Sequence, residues 1–151
     1  MPQNQATALF QLFNEIGIIE QLSRTILESH MPDGLIAPHF SVLNHLIRVG
    51  DGSTPVAMAR AFQVPKTSMT HTLSVLERRG LVDIKANPDD RRSKQVWLTD
   101  SGRVLRNDVI ESLAPALGRA ASDLGTEKLL SILPILTEMR IYLDTHRDGT
   151  G

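Results

Sequence analysis

Residues 87–94, Asn-Pro-Asp-Asp-Arg-Arg-Ser-Lys, place three cations, Arg91, Arg92 and Lys94, beside the carboxylates of Asp89 and Asp90. No apolar side chain in this stretch roots it in a core. Guanidinium groups at the end of a hairpin suit phosphate oxygens, which they meet with paired N–H donors. An aspartate beside them can orient them. Just upstream, Lys66, Thr67, Ser68, Thr70, His71, Ser74 and Arg78 supply a second polar set. Hydroxyls and an imidazole bond base edges, and small side chains let a helix approach a groove. Both sets point to nucleic acid.

The elements needed to position these groups are legible in the pattern. Thr54-Pro55 reads as an N-cap followed by proline in the first turn, opening a short helix from Val56 to Phe62. Gln63-Val64-Pro65 is a turn, and Lys66 to Arg79 forms the next helix, so the two make a helix-turn-helix. At about 100° per residue, Met69, Leu73 and Leu76 fall within about 60° of one another and form the buried face. Thr67, His71, Ser74 and Arg78 then lie opposite, flanked by Ser68 and Val75 on one edge and Thr70 on the other. A solvated face is the plainer alternative, but such faces are usually rich in Glu, Lys and Gln. Leu81–Ala86 and Lys94–Thr99 alternate as strands, with Val82, Ile84, Val96 and Leu98 inward and Lys85, Gln95 and Trp97 opposite. Asn87-Pro88-Asp89-Asp90 supplies the turn, which puts Arg91 and Arg92 at the tip of a wing.

Outside this centre the period is helical. Apolar residues from Leu9 to Leu27 predict a first helix over Thr7–Ser29, and a second starts near Ala37 and runs through Ile47 to a stop at Gly50. Thr99 is placed to cap a fifth helix that reaches about Ala121 and is interrupted near Pro115. Thr126 is placed to cap a sixth, kinked by Pro134, and the tail after His146 is expected to fray. The fold class is therefore mainly α with a small β-hairpin.

Charge is polarised along the 151 residues. The whole carries a net charge of -1, yet residues 60–106 carry +5 and the remainder -6. A basic middle between acidic ends makes a local electrostatic footprint in a near-neutral protein. No apolar run approaches the roughly 20 residues of a membrane span, and the opening Met1-Pro2-Gln3-Asn4 lacks signal-peptide order, so a cytoplasmic protein with no membrane partner is expected. With no cysteine, disulfides, thiolate metal sites and thiol sensing are excluded within the chain. The five histidines show no i, i+4 pair, so neither a metal nor another cofactor is expected. An enzyme has the least support: there is no phosphate-cradling glycine loop, no His-Glu-x-x-His and no nucleophile–base pairing.

Leu76-Glu77-Arg78-Arg79-Gly80-Leu81-Val82, followed by Asp90-Arg91-Arg92-Ser93-Lys94-Gln95-Val96-Trp97-Leu98-Thr99-Asp100-Ser101-Gly102, resembles the winged helix-turn-helix of the MarR family of bacterial regulators. Gly34 to Leu43 is similar to that family's second helix, and the Asp-x-Arg of the wing is present as Asp90 and Arg92. The resemblance implies one chain of six helices. A DNA-binding core at 36–100 would be flanked by dimerisation helices at 5–30 and 101–147. It implies a homodimer on a double-stranded, pseudo-palindromic operator, with Arg92 reaching DNA and Asp90 its structural partner. It also implies a repressor released by a small organic, aromatic acid-like effector. His71 stands where many members carry Arg. The competing expectation is a winged-helix module that binds protein and does not read DNA.

Overall fold

A computed structural model of the chain describes residues 1–148. Helix α1 (Gln3–Ser29) leads into α2 (Ala37–Val49), α3 (Pro55–Phe62) and α4 (Lys66–Arg78). Strands β1 (Val82–Asn87) and β2 (Asp90–Leu98) follow, then α5 (Asp100–Leu124) and a last helix divided into α6 (Thr126–Ser131) and α7 (Leu133–His146).

The core lies where α2, α3, α4 and the hairpin meet. Val42, Leu43 and Leu46 of α2, Met58 of α3, Leu73 and Leu76 of α4, and Val82 and Val96 of the strands are almost fully enclosed. Their spacing accounts for it: three- and four-residue steps put each helical set on one stripe, and alternation puts both valines on one sheet face. Val82 pairs with Leu98, and Ile84 with Val96, in an antiparallel ladder. The hairpin is joined to the helices by the loop after α2. There the Asp51 carboxylate accepts the Leu98 N–H at 2.6 Å, and Ser53 bridges to Val96. Thr54 caps α3 by accepting the Ala57 N–H, and Thr99 caps α5 by accepting that of Gly102. Gly102 is required by close approach: a Cβ there would collide with the Leu81 carbonyl oxygen and the Leu98 side chain.

Four local expectations are corrected. First, β2 begins at Asp90 and not at Lys94, so the turn is only Pro88-Asp89 and Arg91 and Arg92 lie inside the strand. Second, α5 runs through Pro115 without a break. It has more than three turns before that residue, and intact hydrogen bonds on both sides bridge one missing donor. Pro134 instead divides the last helix, because only the six residues of α6 precede it and cannot hold the register. Third, Thr126 does not cap α6: Gly125 is the N-cap and no side chain bonds there. Fourth, Val75 turns toward the core and leaves the outer face of α4. Of the tail expected to fray, Arg147 and Asp148 form a turn, and residues 149–151 lie outside the described residues.

Candidate nucleic-acid interface

Helix α4 separates its two faces sharply. Met69, Leu73 and Leu76 are buried, while Lys66, Thr67, Ser68, Thr70, His71, Ser74 and Arg78 are exposed. Lys66, Thr67, Thr70, His71 and Ser74 line one shallow groove along the outer surface of the helix. Four of these five side chains are small or planar, so a partner can come close to the backbone of α4. The groove is also uncapped by its own chain: Pro65 precedes the first turn, and no side chain there accepts its free N–H groups.

The wing folds around its turn by local hydrogen bonds. The Asn87 side chain accepts the Asp89 N–H at 3.0 Å and donates to the Ser93 hydroxyl at 3.0 Å. The Asp90 carboxylate accepts the backbone N–H of Arg92 at 3.0 Å. Asp90 thus shapes the strand and leaves the Arg92 guanidinium free of it. The ladder also slips here: Ala86 pairs with Lys94 but Asn87 pairs with Asp90, so Arg91, Arg92 and Ser93 bulge from the sheet. A bulge re-aims side chains, and both arginines are exposed. Behind them, Lys85 places its ammonium 5.2 Å from the centre of the Trp97 ring, a cation–π contact that braces the outer face of the hairpin.

Helix and wing converge on a cleft of about 560 Å³. Lys66, Thr70 and Ser74 line it from α4, and Arg92 and Lys94 from β2. Its lining also includes Thr54, Pro55 and Val56 at the start of α3, which sequence reasoning treated as capping residues only. The signal available was their position, at the opening of the first helix of the helix-turn-helix. Ser68 is not part of this cleft: it faces a hollow on the other side of α4, toward Arg24 of α1 and Pro38 and Ser41 of α2. Arg78 and Arg91 line neither the cleft nor the outer groove of α4.

Among the described residues, ion pairs join Arg24 to Glu20, Arg60 to Asp148 and Arg147 to Asp144. None involves Lys66, Arg78, Arg91, Arg92 or Lys94, so the cations of helix and wing keep their charge for an outside partner. Phosphate is the partner that this arrangement suits, because a helix bearing small polar groups beside two cations matches a groove edged by a charged backbone. No group of three or more His, Asp or Glu side chains among the described residues is placed to hold a metal ion. Among the described residues, no helix is long and apolar enough to cross a membrane.

The comparisons agree with this geometry. Residues 33–93 match the model of the MarR family. The fold is similar to that of the transcriptional regulator BldR from Sulfolobus solfataricus, with TM-score 0.70 and 25% identity over 92% of this chain and 99% of that one. It is similar to a mutant MarR from E. coli complexed with operator DNA, with TM-score 0.67 and 22% identity over 87% and 95%. The PcaV transcriptional regulator from Streptomyces coelicolor, in complex with its natural ligand, matches with TM-score 0.64 and 18% identity over 82% and 87%. The central segment thus matches the MarR family model, and the chain shares over most of its length the winged helix-turn-helix architecture of these transcription regulators.

Proposed function

We propose that this protein is a homodimeric, sequence-specific DNA-binding regulator that represses transcription from a pseudo-palindromic operator in the cytoplasm. The observation that carries the reading is the cleft in which Lys66, Thr70 and Ser74 of α4 meet Arg92 and Lys94 of the wing. Helix α4 enters the major groove, about 12 Å wide, with Thr67, Thr70, His71 and Ser74 toward base edges. Arg91 and Arg92 on the bulge reach the neighbouring minor groove or its phosphates, and Lys66, Ser68, Arg78 and Lys94 hold the backbone. Asp90 keeps the bulge in shape.

Dimerisation follows from the ends of the chain. Helices α1, α6 and α7 have no buried residue, although they carry Phe10, Phe13, Leu22, Leu133 and Tyr142. So much apolar surface calls for a second copy. A dimer puts two reading helices on half-sites about 34 Å apart. For the effector we propose a small aromatic acid in the hollow of about 390 Å³ between α2, α3 and α5. Arg48 and Arg106 would meet its carboxylate there and Phe62 its ring. The operator complex of the E. coli relative and the ligand complex of PcaV support DNA and small-molecule partners for this fold.

The test is selection of duplexes from a randomised pool by the full-length protein, followed by footprinting on the winners with and without benzoate or salicylate. A two-fold motif with steep salt dependence is the expected result. Absence of any enriched sequence would leave the protein-binding module as the better reading.

A further inference from the structure

Three polar links hold the junction where α1 gives way to α2, two of them between elements. Glu28, in the last turn of α1, accepts the Ala37 N–H at the start of α2 at 3.0 Å. Buried His39 accepts the Ile36 N–H through Nδ1 at 2.9 Å, closing the first turn of α2, where Ile36 has no side-chain acceptor of its own. Arg79, the residue that ends α4, donates from Nη1 to the Asp33 carbonyl at 2.5 Å. The third link depends on a glycine. Gly34 has φ +84°, and a Cβ there would stand 3.0 Å from the same guanidinium nitrogen. Met31 and Leu35, on either side of the contact, are buried, so the loop that receives Arg79 is itself anchored.

The adjacent arginines therefore do different work. Both are exposed, but Arg79 donates to the Asp33 carbonyl of the loop after α1, whereas Arg78 carries no such link among the described residues. Helix α1 buries no residue of its own, and its hold on the winged core includes the partly buried Leu27, the Glu28 bond and the loop that Arg79 grips. We infer that Arg79 is a positioning residue for DNA reading: it ties the C-terminal end of α4 to the α1–α2 junction, so that the orientation of α1 sets the pitch of the reading helix. A rearrangement of the terminal helices then reaches α4 through one guanidinium and one carbonyl. The inference rests on α4 being the element that enters the groove.

Arg79→Ala, Gly34→Ala and Arg92→Ala are compared with the wild type as full-length proteins, on the duplex that the wild type itself selects. The readouts are affinity across a salt series, thermal melting, and amide hydrogen exchange without DNA. For Arg79→Ala the expected result is about tenfold weaker binding with an unchanged salt slope and melting temperature. Exchange should also quicken both in the last turn of α4 and in the last turn of α1. Gly34→Ala, which crowds the guanidinium and strains a backbone at φ +84°, should reproduce the affinity loss together with a lowered melting temperature. Arg92→Ala is the contrast, since losing a phosphate contact lowers the slope by about 1. Unchanged affinity in Arg79→Ala overturns the proposal. So does, in the same variant, a slope that falls by about 1, which would put Arg79 on a phosphate, or a loss that merely follows a lowered melting temperature. If the wild type selects no duplex, the DNA reading fails by itself, and the exchange pattern in the last turns of α1 and α4 still decides whether Arg79 links them.

Discussion

Leu43 and Leu46 of α2 are enclosed at 0% and 2% exposure, whereas Ile19 and Leu22 of α1, just as apolar and just as periodic, stand at 61% and 66%. The difference is one of surroundings. Helix α2 is covered by α4, α5 and the hairpin, and its stripe meets theirs within the chain. Among the described residues, helix α1 packs against α2 and lies beside α7 through Phe13, which leaves a stripe from Leu9 to Ile26 in the open. Periodicity therefore announces that a face needs covering and is silent on whether the same chain or another copy covers it.

The sharpest way to test that contrast is a charge on the open stripe. Leu22→Asp should abolish self-association and operator binding together, read by sedimentation and by DNA titration. Unchanged sedimentation would remove α1 from the interface. The wild type should also melt at a temperature that rises with protein concentration, a dependence the variant loses. In the closed region, Leu43→Ala should lower the unfolding free energy by about 2–5 kcal/mol in urea titration, since it leaves a cavity. Leu22→Ala approaches such a cost only if a second copy buries it, so equal costs would support the dimer and a negligible one would count against it.

On the wing, Arg92→Ala should weaken DNA binding by about 1–3 kcal/mol, roughly equally for all sequences, with a shallower salt dependence. Thr70→Ala or His71→Ala should instead change which duplex is preferred. A smaller effect separates the capped core from the uncapped start of α4: Thr54→Ala should cost about 1 kcal/mol of stability, measured by thermal melting.

A pH dependence is also expected. Burial, with the neighbouring Arg79 guanidinium, holds the His39 imidazole below its ordinary value of 6.5. Its Nδ1 accepts the Ile36 N–H, which only a ring unprotonated at that nitrogen can do. Below pH 6.5 the unfolded chain takes up a proton that the folded chain refuses, so stability should fall as pH drops through 6.5 and level off below the folded value. His45, lowered by burial and by Arg48, acts in the same direction. His39→Gln keeps an acceptor for Ile36 without titrating, and should flatten part of the slope in melts between about pH 7.5 and 5.5. An identical slope would assign the effect elsewhere.

Much of the centre of the molecule is legible in the residue pattern alone. Thr54, Thr99, Met69, Leu73, Leu76, Val82 and Val96 all serve as their spacing implied, because caps and periodic stripes are local signals. The wing was half legible. Its strands and polarity were read from alternation, but the register slip that lifts Arg91 and Arg92 off the ladder depends on hydrogen bonds from Asn87, Asp90 and Ser93 that no period records. The helical wheel put Ser68 and Thr70 on opposite edges of one outer face, and only the packing of α1 and α2 showed that the Ser68 edge faces another hollow.

By itself, the order of residues determined which segments become helix or hairpin and which faces are apolar, since those follow from backbone sterics, capping and the period of side chains. Tertiary structure decided which polar groups meet. The cleft of Lys66, Thr70, Ser74, Arg92 and Lys94, and the seat of Arg79 against Gly34, join residues distant in sequence. The reason is geometric: a contact between elements depends on crossing angle and register, which the whole core sets at once and no local pattern contains.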